Sequence, residues 1–248
     1  MDNYLDLDFT IDFETCSLRA NAAVMQVAVV PWIRGAENDP LDTGITPFVG
    51  YVDLRTCVVE GFDFDPETIK WWSRQSMAAK AAVTSDHPRP IVDVTSMLYD
   101  WFLSTLATIS GSTLGAPGSI CLWCQGPDVD IAILRNLFDK IGCDLEKIIP
   151  HTSFRDCRTL VQEAALLEAE RSVSGESTRA CGIVDPIALR ANPSTAYLLY
   201  QQLPEKYAEG RSAHDALYDA RRSSWNTWQA LKWMRGAGNQ LDGRPKKY

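Results

Sequence analysis

The stretch Leu5-Asp6-Leu7-Asp8-Phe9-Thr10-Ile11-Asp12-Phe13-Glu14-Thr15 decides how this chain is read. From Leu5 to Phe13, leucine, phenylalanine and isoleucine alternate with aspartate and threonine, the period-two signature of a strand. The strand ends at an acidic pair. Asp12 and Glu14 stand two apart, so their carboxylates share one face while Phe13 turns to the other, into apolar packing. Two carboxylates so placed repel each other unless a cation sits between them, and hard divalent ions such as Mg²⁺ or Mn²⁺ prefer oxygen ligands. A lone D-x-E is also common on exposed edge strands, so its meaning depends on the rest of the chain.

Working outward, Val24 to Trp32 is rich in β-branched residues and reads as a second strand, and Pro47 to Leu54 as a third. Asp65-Pro66-Glu67-Thr68 opens a helix, with Asp as N-cap, Pro at the first helical position and an acid in the first turn. That helix carries Trp71 and Trp72 and extends to about Ser76. Another starts between Ser85 and Pro90 and continues through Val94 to Leu106. The Gly/Ser/Thr/Pro-rich stretch Thr108 to Ser119 reads as a loop, and Ile120 to Gln125 as a short apolar strand. Asp128 is the expected N-cap of the next helix, which reaches Phe138 or Lys140. Thr159 to Glu170 and Ala213 to Met234 complete the helices, and the polar stretch Ser172 to Pro193 reads as a flexible part of a longer insertion, Ser172 to Leu203. Strands first and then alternating helix and strand imply an α/β architecture, a mixed central sheet flanked by helices. No linker divides it, so residues 1–235 are expected to form one domain and 236–248 a flexible basic tail.

Composition narrows the class. The chain has 248 residues, 46% hydrophobic and 23% charged, which suits an ordinary globular domain with a substantial core. No apolar run is long enough to span a membrane, and the acidic start lacks a signal-peptide pattern. A cytoplasmic location with no membrane partner is the expectation. Seven cysteines at irregular spacing do not form a disulfide framework. Cys121 and Cys124 form a C-x-x-C pair around Leu122 and Trp123, in an apolar run rather than at a helix start. They read as buried structural thiols, not as a redox motif or half a zinc site. A net charge of −8 argues against long, tight duplex binding. Bound cations that contact phosphate themselves would lift that objection.

Two later stretches add to the acidic pair. Asp130 follows the strand Ile120 to Gln125, near a helix start where an acid also complements the helix dipole. His214 and Asp219 stand five apart on the expected last helix, about 500° of rotation or roughly 140° net. They therefore flank a site rather than share a stripe, with Asp215 as either a supporting residue or a first-turn acid. Four carboxylates and one histidine brought together would hold two divalent cations and a water-activating base, the donor set of phosphodiester hydrolysis.

Together, I-D-F-E-T, W-C-Q-G-P-D-V-D-I-A-I-L and H-D-A-L-Y-D-A resemble the motifs of the DEDDh exonucleases of the ribonuclease H-like superfamily. The resemblance places Asp12 and Glu14 in the first motif, Asp130 in the second, and His214 and Asp219 in the third. Asn21 to Val30, Asp65 to Ser76 and Arg155 to Leu160 also look like the exonuclease VIII-like and Rv2179c-like exoribonuclease branch, including phage-borne exonucleases. Trp123-Cys124-Gln125-Gly126 departs from the W-G-N-G often found there. By resemblance, Asp12, Glu14, Asp130 and Asp219 bind two Mg²⁺ or Mn²⁺ ions, and His214 is the general base. The substrate is the 3′ end of single-stranded RNA or DNA, and the product a 5′-mononucleotide.

Thr15, Trp71, Trp72 and Arg155 are the candidate substrate contacts. Trp71 and Trp72 lie about 100° apart on a helix, so one is expected to pack and the other to stack on a terminal base. Arg155 and Arg158 are weighed between phosphate contact and ordinary surface pairing. The insertion leaves room for a partner or a second subunit, so a homodimer is included among the expectations. A non-catalytic binding module on the same fold is the alternative, which loss of a carboxylate or the histidine would favour; all five are present.

Overall fold

The computed structural model describes residues 7–111, 120–173 and 202–241. Its strands are β1 (Leu7–Thr15), β2 (Val24–Ile33), β3 (Phe48–Tyr51), β4 (Leu122–Cys124) and β5 (Phe154–Asp156). The helices are α1 (Leu54–Val59), α2 (Pro66–Ser73), α3 (Met77–Ala82), α4 (Ile91–Gly111), α5 (Asp130–Lys140), α6 (Cys157–Val173), α7 (Glu205–Ala208) and α8 (Ala216–Leu241). The sheet order is β3-β2-β1-β4-β5. β1 runs antiparallel to β2 and parallel to β4, so the sheet is mixed and the acidic strand lies at its centre, not its edge. Pro31 is tolerated in β2 because β3 pairs only with Gln26 to Val29, leaving β2 an edge at the proline.

Alternation along β1 sorts its side chains into two layers. Phe9, Ile11 and Phe13 enter the main core with Val94, Leu98 and Phe102 of α4 and Ile131, Leu134 and Phe138 of α5. The spacing of 94, 98 and 102 keeps one apolar stripe of α4 on the sheet. The opposite face carries Asp8, Thr10, Asp12 and Glu14, and α8 covers it. Small side chains allow that helix to approach closely: Ala28 of β2 packs with Ala216 and Ala220 of α8. Because Ala28 lies opposite Asp12 in the β1–β2 register, α8 is brought close beside the acidic residues.

Several boundaries differ from the sequence reading. The third strand stops at Tyr51, and Asp53 caps α1, its carboxylate accepting from Arg55 N at 3.1 Å. Asp65 caps α2 as expected, accepting from Thr68 N at 2.8 Å. That helix ends at Ser73, however, and Ser76 caps the separate α3. α4 begins at Ile91 and takes in Thr108 to Gly111, which had read as loop. Asp128 does not cap α5: the capping position is Val129, with no side-chain hydrogen bond. α8 begins at Ala216 rather than 213 and runs through Gly236 to Leu241. The rest of the expected loop, most of the insertion, and the tail from 242 lie outside the described residues. No described helix is long and apolar enough to cross a membrane.

One buried ion pair joins the strands. Asp8 is fully buried and accepts from Arg34 Nε at 2.8 Å, and Arg34 Nη2 pairs with its other oxygen. The same carboxylate accepts from the Trp123 indole N–H at 2.7 Å and from Cys121 N at 3.0 Å. Asp8 thus ties β2 and β4 to β1 with every acceptor engaged, although burial still raises its pKa against these partners. Replacing Asp8 with Ala strips a largely buried guanidinium of this carboxylate and frees two donors. A loss of about 3–5 kcal/mol is expected in urea unfolding. A loss below 1 kcal/mol would show that the pair is dispensable.

Candidate active site

Asp12, Glu14, Asp130, His214 and Asp219 all line one cavity of about 430 Å³. β1 supplies the first two, the start of α5 supplies Asp130, and the last helix with its approach supplies the others. His214 is not on the helix. It precedes α8 with φ +67°, a left-handed conformation uncommon outside glycine. Asp215, not His214, caps α8, accepting from Leu217 N at 3.0 Å and Tyr218 N at 3.2 Å, and is held by Arg211 at 2.6 Å. The turn is closed by Asp219, whose Oδ2 accepts from His214 N at 2.7 Å. Buried Gln26 of β2 accepts from Ala216 N at 2.9 Å and anchors the same helix start to the sheet.

The imidazole is framed by aromatic rings. Trp71 meets it edge to face at 5.0 Å between centroids, and Trp72 at 6.1 Å. Trp72 is buried and donates its indole N–H to Thr15 O at 2.9 Å, while Trp71 is 42% exposed. Thr15 turns its hydroxyl back to Ser17 O at 2.6 Å. Beside the acidic cavity lies a second, more apolar one of about 470 Å³, lined by Thr15, Leu18, Thr68, Trp71 and Trp72, with Glu14 on the shared wall. The structure does not bring Arg155 to either cavity: its guanidinium donates to Thr152 O and Phe154 O. Arg158 lines the acidic cavity instead, one turn further along. Arg222 lines it as well, a residue that sequence reasoning passed over. Its signal was the i, i+3 spacing from Asp219.

The crowded carboxyls hold on to their protons. Burial pushes Glu14 up to about 8, with Asp219, Asp215 and Asp130 adding to the effect. Asp130 is pushed up to about 7 by burial, against the Gln125 N–H and the Arg158 charge. Asp12 is raised well above the usual carboxylate range by burial and then by Asp130, Asp219 and Glu14. Asp219 is raised by burial against Arg222 and the His214 N–H. Such a cluster suits a cation. One ligand atom each from Glu14, His214 and Asp219 lie within 4.8 Å of one another, and Asp219 Oδ1 is buried without a hydrogen bond. The C-x-x-C cysteines are both buried free thiols whose pKa burial raises, and among the described residues no group of potential metal ligands includes them.

Residues 8–190 match the family described as the 3′–5′ exoribonuclease Rv2179c-like domain. The chain belongs to this family. Membership assigns the protein to the 3′–5′ exonucleases. Among solved structures, an exonuclease I bound to single-strand-binding protein and an inhibitor superposes with a TM-score of 0.51 at 13% identity, covering 96% of this chain and 43% of that one. The zinc-bound complex of Escherichia coli exonuclease I with single-stranded DNA gives 0.50 at 14% identity, with 96% and 42% covered. The nuclease domain of 3′hExo, described as a DEDDh family member bound to rAMP, aligns with a TM-score of 0.49 at 14% identity over 94% of each chain. The two exonuclease I structures share the fold, and this exonuclease spans less than half of their length. No curated protein sequence matches it.

Between the ordinary carboxyl range and about pH 8, the folded metal-free exonuclease binds more protons than its unfolded chain. Its stability therefore falls as pH rises through that window. The metal-free protein should melt at a lower temperature at pH 8 than at pH 6, and Mn²⁺ should close the gap. Glu14→Gln should reduce the pH dependence and stabilise the metal-free form at pH 8 by at least about 1.4 kcal/mol, one pKa unit's equivalent. A flat melting profile between pH 6 and 8 would contradict the picture of a strained carboxyl cluster.

Proposed function

We propose that this exonuclease removes 5′-mononucleotides from the 3′ end of single-stranded nucleic acid, using two divalent cations of the Mg²⁺ or Mn²⁺ type. The supporting observation is the convergence of Asp12, Glu14, Asp130, His214 and Asp219 on one cavity from three separate parts of the chain. RNA is the favoured strand, on the family's description. Asp12, Glu14, Asp130 and Asp219 would hold the cations, with their carboxylates as the oxygen ligands. When bound, such ions polarise the phosphate and lower the pKa of water.

The chain's own groups perform the rest. His214 accepts the proton of the attacking water as general base. The edges of Trp71 and Trp72 and the hydrogen bond from its own N–H to Asp219 hold its ring in place. The neighbouring apolar cavity receives the terminal nucleoside, with exposed Trp71 as the stacking surface and buried Trp72 and Thr15 fixing its floor. The two cavities share Glu14, so a nucleoside in one places its phosphate at the other.

End-labelled single-stranded RNA and DNA, incubated with Mg²⁺ or Mn²⁺, should be shortened stepwise from the 3′ end, and Asp12→Ala should abolish this. Failure of the metal-loaded protein to cut either strand would move the weight to a binding module on this fold. His214→Ala should lower turnover by roughly 10²–10⁴-fold while leaving cation binding nearly intact; an equal loss of cation binding would make the imidazole a ligand instead. Joint Trp71→Ala and Trp72→Ala variants that retain full activity on short substrates would remove the stacking role.

A further inference from the structure

Arg222 is paired with one carboxylate of the acidic cluster. It lies one turn into α8, three residues after Asp219, with its guanidinium on the wall of the acidic cavity. Arg222 Nη2 is 2.7 Å from Asp219 Oδ1, and Asp219 Oδ2 is taken by the His214 N–H. Oδ1 is thus ion-paired to Arg222 without a hydrogen bond, and Oδ2 is hydrogen-bonded. The Arg222 side chain is 37% exposed, its Nε lacks a hydrogen bond, and the face of Tyr218 lies 5.7 Å away. Arg221, by contrast, is buried and committed to Tyr207 O and Glu209. Of the two adjacent arginines, only Arg222 faces the cavity with room to move.

We propose that Arg222 is a phosphate-binding residue held in reserve on Asp219 until a divalent cation takes that carboxylate. This rests on the cation-dependent reading above. Without the cation, the guanidinium offsets part of the repulsion among four buried carboxyls. A divalent ion on the same oxygen would face a like charge a few ångströms away in a poorly screened cavity, which drives the guanidinium off. The nearest anionic partner is then the phosphate of the bound nucleotide, for which a planar guanidinium fork is well matched. Arg158, at the start of α6, also lines the cavity, but its charge acts on Asp130; the ion pair to Asp219 is that of Arg222.

Two affinities test this on the full chain: Mn²⁺ alone by titration calorimetry, then 5′-AMP in the presence of saturating Mn²⁺. In Arg222→Gln, Mn²⁺ should bind several-fold more tightly because its competitor is gone. 5′-AMP should bind roughly tenfold more weakly, the loss of one charge-assisted contact. Arg222→Lys, which keeps the charge but not the fork, should lie between wild type and Gln in 5′-AMP affinity, and circular dichroism should show both variants folded. Unchanged 5′-AMP affinity in folded Arg222→Gln, with normal binding by the wild type, would overturn the inference and leave the nuclease reading intact. A wild-type protein that binds neither Mn²⁺ nor 5′-AMP would overturn both.

Discussion

Four carboxyl groups forced together around Asp12 set the terms for everything else in this molecule. Buried like charges repel, and burial itself resists their ionisation, so the metal-free site survives by keeping protons and by borrowing the charge of Arg222. No flexible surface would hold such a cluster together; its members would simply separate. Three rigid supports prevent this. β1 lies at the centre of the sheet, α5 starts directly behind β4, and α8 is seated on alanines that let it approach β1. The hydrophobic core on the far face supplies the free energy that keeps the acidic face assembled.

The supports are themselves fixed by polar groups that have found partners. Asp8 binds β1 to its neighbours through Arg34, Trp123 and Cys121, two turns of the pleat from Asp12. Gln26 and Asp219 hold the approach to α8 from both sides, which leaves His214 no alternative to its left-handed backbone. Trp72 closes the end of β1 through Thr15, and its partner Trp71 stays half in solvent. Stability and chemistry thus meet on the same short segments, a strand end and a helix start, where strain is tolerated because so many contacts over-determine it.

Much of this was legible in the residues. Strict alternation gave β1 and its two faces, Asp65-Pro66 gave the start of α2, and the acidic and histidine motifs named the five residues that line one cavity. What stayed hidden depended on tertiary context. Asp53 and Leu54 read as the end of the third strand, yet the Asp53 cap opens a helix there. β5 is only Phe-Arg-Asp, too short for any periodicity to appear. Asp128 looked like a cap because it is the right residue type near a helix start, but the turn ending at Val129 puts it on the cavity wall instead. His214 lies outside the helix because Asp215 wins the capping position, a competition between neighbours that residue type alone does not decide. Arg155 was the expected contact, but its place on strand β5 turns it to backbone carbonyls, and Arg158 on the first turn of α6 lines the cavity instead.

The acidic strand and the helix that completes the cluster lie more than two hundred residues apart in the chain. A ribosome therefore delivers Asp12 long before Asp219, and an unfinished chain lacks part of the acidic cluster and the imidazole beside it. The acidic cavity is therefore a property of the chain folded through its last helix, and no shorter N-terminal stretch can assemble it.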